Sequence, residues 1–159
     1  MNARLFMIPV LGLALVACSG CGGQPLAPKV PDDPSTAPTS VTLAGVTLTL
    51  QTELWRDFMP FSPPDGRPMN GLFQVRSTSG SPLPAGLAIV RAAVIYQGQS
   101  WVSVPESVPS TDPAVLMAVS RGGPKWGPRV TVDVVVTLSL GGRQRVMLGA
   151  RDQMIGATY

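Results

Sequence analysis

The chain of 159 residues has no histidine, and its two cysteines, Cys18 and Cys21, both fall within the first 21 residues. Without histidine there is no Ser-His-Asp triad and no Cys-His pair. Without cysteine in the rest of the chain there is no usual ligand set for structural zinc and no disulfide to staple a fold. Charge is also scarce: 13% of residues are Asp, Glu, Lys or Arg, about half the usual share. Lysine occurs only at positions 29 and 125. The formal net charge is +3, and no basic cluster runs longer than two or three residues. That excludes the basic footprint of a nucleic-acid-binding protein. Any catalysis would rest on a few carboxylates, Ser, Tyr or Lys125, and nothing implies a cofactor. The methionines beyond residue 50 are scattered, as packing residues are, without the close spacing of copper ligands.

What the chain does have is proline and glycine, 17 of each, which disfavours long helices and favours turns and linkers. Residues 1–17 divide into the parts of a secretory leader: one positive charge at Arg4, an apolar run from Leu5 to Val16, then small residues before Cys18. The run is shorter than the roughly 20 residues of a membrane-crossing helix, and Pro9 and Gly12 interrupt it. "LVAC" (15–18) resembles the lipobox of bacterial lipoproteins. The resemblance covers only the leader. It implies cleavage before Cys18 and a diacylglycerol thioether on its sulfur, so that the protein is held on a membrane of the bacterial cell envelope. Ser19 after the lipid-bearing Cys is similar to an outer-membrane sorting signal, should the source be Gram-negative.

Other readings of Cys18-x-x-Cys21 fit less well. A redox C-x-x-C belongs beside a βαβ pattern, and a metal site needs more ligands than two thiolates. Cleavage before Cys21 would put Cys18 where a Leu-type residue is expected. Cys21 is then a spare thiol in a tether: a second acylation site, a partner for an intermolecular disulfide, or a passive residue.

Residues 18–40 comprise Cys18 and a proline-rich stretch with almost no bulky apolar side chain. Such a segment cannot offset its ordering entropy and reads as a disordered spacer. From Val41 to Tyr159 the pattern is period two. Strands are expected at 46–54, 72–77, 87–97, 100–104, 114–120, 129–140 and 143–150, with "VTLAG" (41–45) pairing separately as an edge. Gly141-Gly142 signals a hairpin. About seven strands with turn signals between them predict an all-β domain, an immunoglobulin-like or fibronectin-like sandwich, with a small barrel as the alternative. Antibody-type paired cysteines are missing.

Two stretches are candidates for a contact surface. In "SRGGPKWGPRV" (120–130), Arg121, Lys125 and Arg129 surround Trp126. The indole either faces a protein, glycan or anionic polymer, or folds back to plug the open end of the sandwich, as the burial habit of Trp favours. The stretch 54–71 reads as a long loop carrying Trp55, Phe58, Met59 and Phe61, either a binding lip or a cover for a sheet edge. Asp133 falls on the polar face of its strand, in solvent or in a cross-strand pair, and Asp152 is expected to pair with Arg151. The reading that follows is a lipid-anchored envelope protein with a non-catalytic binding or structural domain. Its alternative is a loop-based protease inhibitor, since some inhibitors carry their loops at one end of such a sandwich.

Overall fold

The computed structural model describes residues 33–159; the leader, Cys18 and Cys21 lie outside the described residues. The described chain is all-β, as its alternation predicts. The strands are β1 (Ser40–Leu43), β2 (Val46–Asp57), β3 (Met69–Ser77), β4 (Leu87–Tyr96), β5 (Gln99–Ser103), β6 (Glu106–Val108), β7 (Val115–Gly123), β8 (Thr131–Leu140) and β9 (Gln144–Thr158). Eight of them form one curled mixed sheet in the order β5-β4-β8-β9-β2-β3-β7-β6, and β1 pairs with β2.

The curl makes two layers. β2-β3-β7-β6 form one and β9-β8-β4-β5 the other, which is the A-B-E-D and G-F-C-C′ order of an immunoglobulin-like sandwich. β9 belongs to both. Its first two-thirds pair antiparallel with β8, and Ile155–Thr158 then pair parallel with Leu54–Asp57 of β2. The transfer happens at a bulge. The β8–β9 register shifts between Val132 and Val134, and Asp152 takes a left-handed φ of 55°. Asp133 stabilises the bulge, accepting from the Asp152 amide at 3.1 Å and from Arg151 at 3.3 Å. Its expected cross-strand role is therefore observed, and Arg151 pairs with Asp133 in place of its neighbour Asp152.

The core lies between the layers. Leu48, Leu50, Leu54, Phe73 and Val75 from one side meet Val94, Val134, Val136, Leu138 and Leu148 from the other in one apolar cluster. At the place where antibody domains have a disulfide, this domain relies on aliphatic and aromatic packing alone.

Several boundaries differ from the sequence reading: β6 (Glu106–Val108) is a strand not expected from the pattern, and β7 continues past Ser120 to Gly123. β2 runs on to Asp57 and β3 starts at Met69, so the loop between them is 58–68 and Trp55 is a strand residue. β9 continues eight residues past the expected end at Ala150, because the bulge carries it into the second layer. The packed chain also begins before Val41. Residues 33–39 lie as a strap over the outer face of β8 and β9. Arg151 donates to the carbonyls of Ser35 (2.5 Å) and Ala37 (2.8 Å), and the Gly149 amide donates to Pro38 at 2.7 Å. Ala37, within the strap, is itself buried.

Candidate functional site

The strand order brings the 58–68 loop, the β4–β5 turn at Gln97-Gly98, the 124–130 loop and the end of β9 to the same end of the sandwich. The first of these is built from two tight turns. The Ser62 amide donates to the Met59 carbonyl and the Gly66 amide to that of Pro63, both at 2.7 Å. Pro60 and Pro64 each take the second turn position, where their fixed φ is already suitable. Gly66 closes the second turn at φ 73°. A Cβ there would lie 2.5 Å from the Phe58 ring, so the position requires glycine on two counts. The result is a stiff loop with Phe61 at its corner, 95% exposed.

A buried cation holds the base of the loop. Arg56 is 3% exposed and fans its guanidinium across both loops. Nε donates to the Arg67 carbonyl at 3.0 Å, and Nη1 to Lys125 and Gly127 at 3.1 and 2.7 Å. Nη2 donates to the Asp65 carbonyl. Five donors in a rigid fork suit this task. The guanidinium also lies 5.0 Å from the centroid of Phe58, whose other neighbour is Tyr159, stacked at 5.8 Å. Outside this network, Lys125 Nζ reaches Asp65 at 2.5 Å. The hydrogen bond from Lys125 holds the Asp65 carboxyl below its ordinary range.

The expected site residues thus separate. Lys125, Phe58 and Phe61 gather at one end, with Arg129 exposed beside them in a left-handed conformation (φ 64°). Trp126 is half-buried against the core and lies 5.6 Å from Tyr96. Arg121 is on β7 and pairs with Glu106 of β6 at 3.2 Å. Trp55 is on β2, pointing outward and half-buried. Gly122 and Gly123 belong to β7 rather than to a loop. Cys18 lies outside the described residues.

Sequence reasoning missed Arg56, although a signal was present. Leu48, Leu50 and Leu54 face inward, and two steps further the same alternation puts an arginine on the core face. A cation at a core position of a strand needs buried acceptors, and those are the turn carbonyls of two loops.

Among the described residues, no three Cys, Asp or Glu side chains gather as a metal site. A comparison with protein-family models, curated proteins and solved structures finds no match to this chain. What the end can do chemically follows from its geometry. Recognition by strand addition needs an extended segment. Phe61 sits at a turn corner, so the loop offers one protruding ring on a fixed base.

Proposed function

We propose that this is a lipid-anchored protein of the bacterial envelope whose β-sandwich binds an envelope partner without catalysis, through the end built from the 58–68 and 124–130 loops. The observation that carries the reading is Phe61, an almost fully exposed aromatic ring on a loop whose two turns and buried Arg56 fix its position. An exposed ring on a mobile loop would lose rotamer and backbone freedom on docking; a fixed one loses little. Interface anchors are typically aromatic and surrounded by contacts of small energy. Lys125, Arg67 and Arg129 supply a polar, mostly cationic rim. The proposal of no catalysis rests on the missing histidine and on the pairing of the carboxylates: Asp57 and Asp65 at the loop end, Asp133 at the β8–β9 bulge and Glu106 on β6 are each engaged by a cation. The alternative, a loop-based protease inhibitor using residues 121–126, has less support: Arg121–Gly123 belong to β7 and Trp126 is half-buried against the core. The membrane anchor rests on the lipobox resemblance of residues 15–18.

The test is a photoreactive phenylalanine analogue placed at position 61 of the full chain in its own bacterium. A discrete crosslinked adduct is expected from position 61 and none from position 143, at the opposite end. No adduct from position 61, or the same adducts from both, would refute the reading.

A further inference from the structure

A second surface lies on the outer side of the β2–β9 seam. β1 pairs with β2 as far as Thr49, and β9 joins β2 only from Leu54 onward. The intervening stretch of β2 therefore has no neighbouring strand on that side. An open groove of about 480 Å³ runs there, lined by Thr52, Glu53, Trp55, Met154, Gly156 and Thr158. Trp55 is paired with Gly156 across the parallel ladder. A Cβ at Gly156 would meet only the Leu54 carbonyl oxygen, at 3.5 Å, so the groove is open at residue 156 and a side chain there would project into it. Met154, 66% exposed, forms the other apolar wall.

The lining defines what fits. No cation lines the groove, and among the described residues no ion pair engages Glu53. Phosphates, carboxylates and nucleic acids therefore meet a carboxylate with nothing to attract them. The apolar walls are one indole and one thioether; the polar groups are a carboxylate, which only accepts, and two threonine hydroxyls, which donate to Gln153 Oε1 from Thr52 (2.7 Å) and to the Arg56 carbonyl from Thr158 (3.5 Å) and so face the groove as acceptors. Of the ligands that remain, a cation would use only the indole face and Glu53, whereas a neutral ring with a C–H face for the indole and several hydroxyls to donate to Glu53 and the threonine oxygens engages the whole lining. Hydrogen bonds to an ionised acceptor are the stronger kind. We propose that the β2–β9 groove binds a neutral sugar ring of a saccharide, stacked on Trp55 and hydrogen-bonded to Glu53 and Thr158. This site is separate from the Phe61 end and does not depend on it.

The test uses the full-length protein in a zwitterionic, sugar-free detergent, with saturation-transfer NMR on chitotriose and cellotriose, and trigalacturonate and choline as charged controls. Saturation of the ring C–H protons is expected for at least one neutral trisaccharide and for neither control. Trp55→Ala should weaken the signal at least tenfold. Gly156→Val should do the same while leaving the melting curve at or above that of the parent, since a β-branched residue suits a strand and the added side chain fills the groove. Phe61→Ser should bind as the parent does, which distinguishes this groove from the loop-end reading. The proposal is overturned if neither neutral sugar takes up saturation, if a charged control binds better, or if Trp55→Ala or Gly156→Val binds undiminished.

Discussion

Arg56 carries more of this protein's end structure than any other side chain. Its four hydrogen bonds go to backbone carbonyls of residues 65, 67, 125 and 127, none of which belongs to a strand. Arg56→Met fits the volume but leaves those acceptors without the cation, and hydrogen bonds to charged groups contribute about 1.5–3 kcal/mol each. Arg56→Met should lower stability by about 3 kcal/mol in a denaturant titration, allowing for water reaching the freed carbonyls. Arg56→Lys should recover only part of that, because an ammonium cannot span four acceptors in a plane. An unchanged midpoint in Arg56→Met would show the network to be ornamental. A second residue-scale expectation concerns acid. The folded-state pKa of Asp65 is depressed, chiefly by its hydrogen bond with Lys125. Its contribution is therefore complete above the ordinary aspartate value of about 3.9 and is lost as the pH falls through the lower folded value. Protection of the amides of residues 58–68, read as exchange relative to the unfolded-chain rate at each pH, should hold from neutral pH down to about 4 and fall only below that, with Lys125→Met removing the step. A step near neutral pH would contradict the pairing.

At the scale of elements, β8 is the most heavily constrained strand. Val134, Val136 and Leu138 face the core with no exposure, and the strap of residues 33–39 lies over part of the opposite face, where Val135 is also buried. Val134→Asp puts an unpaired carboxylate in the core, at a cost of several kcal/mol, and should unfold the domain at room temperature by circular dichroism. Thr137→Asp, outward and opposite Arg91 on β4, should shift the melt by only a few degrees. If Thr137→Asp is equally damaging, the strap covers more of β8 than its contacts indicate. The period-two pattern made this strand and its inward residues legible, and the same pattern held for β2; in β4 a bulge between Ile89 and Arg91 shifts the phase, so that Ile89, Ala92 and Val94 face inward. The strap was not legible. Its residues are proline and small polar types whose own burial is slight, and they are held by Arg151, more than a hundred residues away. The length of β9 was hidden for a related reason. Alternation breaks at Asp152, where the extra bulge residue reverses the phase, so "QMIGAT" seems unrelated to "RVMLGA" although both belong to one strand. Of the candidate residues, Phe58, Phe61 and Lys125 were found as members of separate loops. Nothing local in the sequence says that those loops meet.

On the scale of the whole molecule, the proposed reading requires that the domain be kept near the proposed envelope partner. Residues 33–39 pack on the domain as the strap, so the proposed anchor at Cys18 is joined to it through residues 19–32. Fourteen residues at about 3.1 Å each extend to roughly 45 Å at most. A tether of that reach turns encounter with a partner on the same membrane into a nearly intramolecular event, with an effective concentration in the millimolar range. Two acyl chains on Cys18 would make the attachment stable, where a single chain holds only marginally. Cys18→Ser should therefore do two things in cells: abolish incorporation of labelled palmitate and reduce the position-61 crosslink at least tenfold, with the domain still folded. Cys21→Ser should leave labelling and crosslinking as they are, because a thiol three residues along the tether has no part in either. The reverse pattern, labelling lost in Cys21→Ser and kept in Cys18→Ser, would move the processing site and sink the lipobox assignment. Labelling lost with crosslinking undiminished would leave the anchor in place but show that the partner is not on the same membrane.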